Sequence, residues 1–207
     1  MSQWLSEIKP TWCPGCGDYV ILGALKTVLE KLKLNQDKTV IVYDIGCIGN
    51  MADFIKAWGF HALHGRSIPT AVGIKNANPK LKVIVVGGDG GIYGEGLGHM
   101  IAAARLNLDM TVLVANNQLY SLTTGQSSPT TPKGVKTKST PKGVESVPVL
   151  PMELIKMVNP EALAQRVDGS QPQAVMKAIK VAIKHQGFDL LDINQLCISF
   201  GKQLRRQ

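Results

Sequence analysis

The run Val83-Ile84-Val85-Val86 is apolar without alternation, the pattern of a strand covered on both faces. It ends in Gly87-Gly88-Asp89-Gly90-Gly91. Beyond that glycine-rich turn, Leu97, Met100, Ile101, Ala104 and Leu108 keep helical spacing and predict a helix over residues 95–107. A second apolar run over residues 110–115 predicts another strand, which ends in Asn116-Asn117. Strand, loop, helix and strand in this order call for a right-handed crossover between parallel strands. Asp89 and Asn117 then sit at the carboxyl ends of two parallel strands, where open α/β sheets bind ligands.

The chemistry of that edge follows from its residue types. Glycine lets backbone approach a phosphate, and the start of the following helix favours negative charge. One carboxylate, one amide oxygen and a nearby backbone carbonyl suit Mg²⁺, which takes few protein oxygens and fills its octahedron with phosphate and water. The edge thus has the donors for a diphosphate held through Mg²⁺. No lysine lies in the glycine loop and GxxxxGK[ST] is absent, which argues against a P-loop. Gly94-Glu95-Gly96-Leu97-Gly98 lacks the spacing of a dinucleotide-binding turn.

The 207 residues are enough for one well-buried domain and too few for two large ones, so residues 1–207 are read as a single domain. With 44% hydrophobic and 18% charged residues the chain is globular. No apolar stretch is long enough for a membrane span, and residues 1–10 lack the apolar core of a signal peptide, so a cytoplasmic protein is expected. The net charge of +8 comes without a helix-turn-helix, an RNA-binding signature or aromatic–basic interleaving. Neither nucleic acid nor membrane is expected as a partner, whereas an acidic protein would be steered by such a charge.

Helices are predicted after Asp18, read as the N-cap, and over residues 69–78, 152–158, 160–167 and 171–186. Further strands are predicted over residues 39–44 and 190–197. The segment with Trp58, Phe60, His61 and His64-Gly65-Arg66 is read as irregular. Together these give an α/β fold, a wound, mostly parallel sheet with helices on both faces. Residues 121–151 are rich in Ser, Thr, Pro, Gly and Lys and hold a near repeat, Thr131-Pro132-Lys133-Gly134-Val135 and Thr140-Pro141-Lys142-Gly143-Val144. A loop this long within a compact domain is functional or disordered.

Four cysteines are present, Cys13, Cys16, Cys47 and Cys197. Cys13-Pro14-Gly15-Cys16 by itself fits a zinc knuckle, a redox dithiol or half of an iron–sulfur site. A thioredoxin-like dithiol leaves two cysteines unexplained, and disulfides are disfavoured in an intracellular chain.

Gly88-Asp89-Gly90 followed at distance by Asn116-Asn117 resembles the signature of thiamine diphosphate enzymes. The longer strings Gly88-Asp89-Gly90-Gly91-Ile92-Tyr93-Gly94-Glu95-Gly96-Leu97-Gly98-His99, Asn117-Gln118-Leu119-Tyr120 and Thr124-Gly125-Gln126-Ser127-Ser128-Pro129-Thr130 resemble the β subunit of 2-oxoacid:ferredoxin oxidoreductases. The resemblance spans residues 12–200 and implies a thiamine diphosphate-binding fold. It also implies thiamine diphosphate, Mg²⁺ and a [4Fe–4S] cluster as cofactors, with one cysteine per iron. The cluster ligands it implies are Cys13, Cys16, Cys47 and Cys197, and the Mg²⁺ ligands Asp89, Asn117 and the carbonyl of Leu119. Ile45, Gly46, Cys47, Ile48, His64, Gly90, Gly91, Ser121 and Leu122 are implied to border the cofactor. Arg66 is a candidate for a phosphate or substrate carboxylate, and His99 a structural residue. The 121–151 segment becomes an ordered loop beside the cofactor and at an interface, and residues 1–18 a cysteine-bearing N-terminal segment.

The implied reaction is coenzyme A-dependent oxidative decarboxylation of a 2-oxoacid, with the cofactor as electron sink and electrons passed singly to ferredoxin. No activating carboxylate is assigned on this chain; it is expected on an obligate α subunit, with γ or δ components as further partners. The sequence departs from the family pattern at Asn116, where Asp is common, at Gly91, at Thr124, and at Cys47-Ile48-Gly49-Asn50, which lacks a basic group. That last departure weakens the case for a dicarboxylate substrate, so pyruvate and other 2-oxoacids stay open. Related β subunits continue beyond the tenth residue after Cys197, so a C-terminal clamp is expected to be missing. The alternatives are a zinc-stapled α/β binding protein, which leaves Asp89 and Asn117 unexplained, and a non-oxidative thiamine diphosphate decarboxylase subunit, which leaves the cysteines unexplained.

Overall fold

A computed structural model of the chain describes residues 3–195 and 197–206. Its elements are α1 (Asp18–Lys31), β1 (Thr39–Tyr43), β2 (Trp58–His61), α2 (Ser67–Ala77), β3 (Lys82–Gly88), α3 (Leu97–Arg105), β4 (Met110–Asn116), β5 (Leu119–Tyr120), β6 (Gln126–Ser127), α4 (Pro151–Val158), β7 (Leu163–Asp168), α5 (Pro172–Lys184) and β8 (Phe188–Asn194). The six-stranded sheet has the order β2-β1-β3-β4-β8-β7, and every pairing in it is parallel. β5 and β6 form a small antiparallel pair apart from it.

Alternation along the strands divides the core in two. Ile84, Val86, Leu113, Ala115, Leu191 and Ile193 face α1 and α5. Val83, Val85, Val112, Val114 and Leu190 face α2, α3 and α4. The unbroken apolar runs read from sequence are therefore strands clothed on both sides. The strand order reverses between β1 and β3, a topological switch point of the kind where wound sheets bind ligands.

The structure differs from these expectations at several elements. Residues 160–167 do not form a helix; Leu163–Asp168 is edge strand β7, in register with Asp189–Asn194 of β8. Its run Leu-Ala-Gln-Arg-Val-Asp has no strand alternation to betray it, and pairing with β8 overrides local preference. Trp58–His61, read as irregular, is edge strand β2 on β1, exposed along its whole length. The last strand ends at Asn194, so Cys197 lies beyond it; Leu196, within the predicted strand, is outside the described residues, as are Met1, Ser2 and Gln207.

Asp18 is not an N-cap. The cap position is Gly17, without a side-chain hydrogen bond, and Asp18 lies buried in the first turn of α1. The 95–107 helix begins later than expected, because residues Gly91–Glu95 form one wide π turn before α3. Residues 121–151 are ordered by their own repeat. Gly134 N–H donates to the Val144 carbonyl at 2.8 Å and Val144 N–H to the Val135 carbonyl at 2.9 Å. Val135 and Val144, the last residue of each repeat, are buried. Gly134 and Gly143 take positive φ of 86° and 111°, the left-handed turn that glycine makes without strain.

Candidate functional site

The carboxyl ends of β1, β3 and β4 open into a cavity of about 260 Å³. Ile45, Gly46, Cys47 and Ile48 line it after β1, and Asp89, Gly90 and Gly91 after β3. Asn117, Leu119, Ser121 and Leu122 line it after β4, and His64 reaches it from the loop before α2. Every residue expected to border the cofactor or hold Mg²⁺ is thus brought to one place. Arg66 and His99 are not among the lining residues; Arg66 instead donates to the Gly65 and Glu95 carbonyls.

Asp89 is almost wholly buried. Its Oδ2 accepts from Ser128 Oγ at 2.5 Å and Thr130 Oγ1 at 2.7 Å, and its Oδ1 accepts a long 3.3 Å bond from Asn117 N–H. Burial pushes the carboxyl up to about 6, although these three donors pull it down and Asp192 adds to the rise. Asn117 Oδ1 accepts from Leu119 N–H and Ser121 Oγ, each at 3.0 Å. One lightly bonded carboxylate oxygen beside an amide oxygen is a donor set that fits a hard cation, whose charge would hold Asp89 ionised. Among the described residues no three His, Cys, Asp or Glu side chains cluster as a site for one metal ion. Mg²⁺ bound through one carboxylate does not require such a cluster.

The glycine loop is explained by packing as much as by a ligand. A Cβ on Gly91 would fall on the Asp44 carboxylate, and one on Gly90 on the Tyr120 ring. Asp44, fully buried, accepts from Gly65 N–H at 3.0 Å and Ser67 Oγ at 2.5 Å, and so fixes the loop that carries His64. His64 lies between Asp44 and Glu95, with Nδ1 3.3 Å from Asp44 Oδ1 and Nε2 3.2 Å from Glu95 Oε2.

A second cavity, of about 220 Å³, adjoins the first. Cys13, Cys16, Cys47 and Cys197 all line it, with Trp12, Ile198 and Phe200 among its apolar walls. Trp12 Nε1 donates to the Cys47 carbonyl at 2.6 Å, Ser199 Oγ to Cys13 Sγ at 3.2 Å and Phe200 N–H to Cys197 Sγ at 3.4 Å. Burial pushes the Cys16 thiol up to about 12 and the Cys47 thiol to about 11, with Asp18 adding to both. Four cysteines lining one largely apolar space have the chemistry of an iron–sulfur ligand set, and iron would ionise their thiols on ligation. Asp18, Cys47, Asn117, Ser121, Leu122 and Gln195 border both cavities, so the two share a wall.

Several residues of this region were not singled out from the sequence. Asp192 is fully buried, on β8. It accepts from Tyr93 Oη at 2.8 Å and Asn116 Nδ2 at 2.9 Å, and from Arg166 Nε at 3.1 Å and Nη2 at 3.3 Å. Thr130 Oγ1 lies 3.1 Å from Asn116 Oδ1, which links this network to Asp89. Asn116, a departure from the family pattern, is here a donor; an aspartate in its place would set two carboxylates together. Ser128 and Thr130 lie within the Thr124–Thr130 string, yet only the folded loop shows that they hold Asp89.

A switch-point cavity with Asp89 and Asn117 just past the ends of adjacent parallel strands is the architecture of a thiamine diphosphate-binding domain, and the family described as thiamine pyrophosphate enzyme, C-terminal TPP binding domain, matches residues 44–193. The β subunit of 2-oxoacid:ferredoxin oxidoreductase 1 from Aeropyrum pernix is 42% identical over 97% of this chain and 63% of its own length. The 2-oxoglutarate synthase subunit KorB of Archaeoglobus fulgidus is 38% identical over 93% of this chain and 72% of its own. Among solved structures, a chain of the 2-oxoglutarate:ferredoxin oxidoreductase of Magnetococcus marinus superposes with a TM-score of 0.93 at 34% identity, covering 96% of this chain and 68% of that one. The chain belongs to the β-subunit family of 2-oxoacid:ferredoxin oxidoreductases. It spans about three fifths of the length of the Aeropyrum and Saccharolobus β subunits that it matches.

Proposed function

We propose that this chain is the thiamine diphosphate- and cluster-binding subunit of a cytoplasmic 2-oxoacid:ferredoxin oxidoreductase, acting as one domain with an α subunit. The observation that carries the reading is the shared wall: Cys47 borders both the Asp89–Asn117 cavity and the four-cysteine cavity. A wall of this kind suits a reaction in which electrons leave a cofactor for a cluster, and neither a zinc staple nor a non-oxidative decarboxylase needs it.

Asp89, Asn117 and the Leu119 carbonyl would hold Mg²⁺, and Cys13, Cys16, Cys47 and Cys197 a [4Fe–4S] cluster. Thiamine diphosphate, when bound, supplies the electron sink for loss of CO₂ from the 2-oxoacid. This chain's residues position and exclude water. Ile45, Ile48 and Leu122 supply apolar walls, while Asp44 and Glu95 orient His64 beside the glycine loop. Ser128 and Thr130 fix the Asp89 carboxylate. No residue of this chain is assigned a proton transfer; that group is proposed for the α subunit. Exposed Trp58 and Phe60 on edge strand β2, and Leu63 just after it, are apolar surface of the kind a partner covers. Coenzyme A as acyl acceptor and ferredoxin as electron acceptor complete the proposal, with γ or δ components as further partners.

The test is anaerobic iron and sulfide analysis of the chain co-expressed with its α partner, with low-temperature EPR after dithionite reduction. About four irons and four sulfides per chain and a reduced-cluster signal are expected. Zinc in place of iron overturns the reading.

A further inference from the structure

The two segments that meet beside the four-cysteine cavity are predominantly basic. Between residues 121 and 151 stand Lys133, Lys136, Lys138 and Lys142 against a single carboxylate, Glu145, and residues 197–204 hold Lys202 against none. Folding brings these two segments together. A cleft of about 280 Å³ is lined by Thr124, Gly125, Lys136, Thr137, Lys138, Ser199, Phe200, Lys202 and Gln203, with no carboxylate among them. Gly125 is packed so closely that a Cβ there would lie 2.9 Å from Phe200 Cβ, which locks the loop to the segment after Cys197.

The cleft is continuous with the cysteine cavity. Ser199 and Phe200 line both, and the same two residues donate to Cys13 and Cys197 sulfurs. Cys13 is itself exposed. The three lysines are exposed as well, and Lys138 Nζ donates to Thr124 Oγ1 at 2.8 Å.

We propose that this lysine-lined cleft is the docking face for an acidic iron–sulfur electron-acceptor protein, steered to the sulfur cage by Lys136, Lys138 and Lys202. The proposal rests on the functional reading above and names the surface through which that site discharges. With a cluster bound by the four cysteines, each encounter would move one electron from it to the acceptor's own iron–sulfur centre, oxidising one and reducing the other, with no bond made or broken.

A small polyanion such as the phosphates of coenzyme A is the competing occupant. Phosphate sites draw on converging free backbone amides. Here Thr124 N–H donates to the Ser121 carbonyl, Gly125 N–H to the Tyr120 carbonyl, Thr137 N–H to the Thr140 carbonyl and Phe200 N–H to Cys197 sulfur. With these amides committed, the cleft offers dispersed ammonium groups, which suit the broad negative field of a protein.

The test uses the chain in complex with its co-expressed α partner and a purified acidic [4Fe–4S] ferredoxin as probe. Its Kd is measured at ionic strengths of ~0.01 M and ~1 M, where the screening length falls from about 30 Å to about 3 Å. The triple variant Lys136→Glu, Lys138→Glu, Lys202→Glu is expected to raise Kd at least ~10-fold at low salt. The triple glutamine variant should fall between it and the wild type, and the differences should shrink at high salt. Iron content and reduction of a small neutral acceptor should stay at wild-type level. Unchanged Kd in iron-loaded complex overturns the docking face alone, as does a raised KM for coenzyme A with unchanged ferredoxin binding. An iron-free wild-type complex overturns the functional reading instead.

Discussion

Gln195 donates through Nε2 to Oδ1 of Asp18 at 2.6 Å, both side chains buried, across 177 positions of sequence. The bond joins the residue just past β8 to the first turn of α1, and so sets Cys197 beside Cys13 and Cys16. Replacing Gln195 by Ala removes the donor and leaves the Asp18 carboxyl buried. The expected cost is about 1–3 kcal/mol of stability, read by chemical denaturation, together with lower iron occupancy of the purified complex. Full iron content in a destabilised variant would show that the pair supports the fold without positioning the cysteines.

Asp89→Ala is expected to abolish Mg²⁺-dependent binding of thiamine diphosphate, with iron content unchanged. Calorimetric titration of the cofactor with and without Mg²⁺ checks this. Ser128→Ala leaves Thr130 and Asn117 to hold the carboxylate, so weaker binding rather than none is expected. The loss should be about 1–3 kcal/mol, the usual range for a hydrogen bond to a charged group.

Cys197→Ala should have the converse effect. Iron and sulfide should fall together while Mg²⁺-dependent cofactor binding persists, because Cys197 lines the cysteine cavity and not the other. Loss of cofactor binding as well would mean that the shared wall needs the cluster for its shape.

Asp189, at the amino end of β8, supplies a pH test far from the site. Burial pushes its carboxyl up to about 8, with Lys82 pulling down and Asp109 pushing up. His185 Nδ1 stands 2.8 Å from its Oδ1 without the alignment of a hydrogen bond. The folded state then keeps a proton that the unfolded state, with an ordinary carboxyl near ~4, has released. Stability should fall as pH rises from about 4 to about 8 and level off above. Asp189→Asn, neutral throughout, should flatten this slope and be the more stable protein at pH 8, as denaturation midpoints across that range would show.

Most of the sheet was legible in the sequence because β1, β3 and β4 are buried on both faces and write their burial as unbroken apolar runs. The edges were not. Trp58–His61 is exposed throughout, so no burial pattern marks β2, and β7 carries Arg166 to reach Asp192 on the neighbouring strand. The grouping of residues around the Asp89–Asn117 cavity could be read because glycine, Asp89 and Asn117 keep their spacing at strand ends. The residues that hold that lining could not. Asp44, Asp192, Ser128 and Thr130 act through partners more than 20 positions away, and no local pattern records such pairings.

β7 precedes β8 in the chain yet has no strand neighbour except β8, and β8 is also the strand that closes onto β4. A chain leaving the ribosome N-terminus first therefore exposes Cys13, Cys16 and Cys47 while one side of its sheet is still open. The fourth cysteine arrives only after β8 has been made. On the proposed cluster assignment the ligand set is completed only late in the life of the nascent chain, and a ribosome stalled before codon 197 would leave three thiols and an unpaired strand edge in need of protection from oxidation and aggregation.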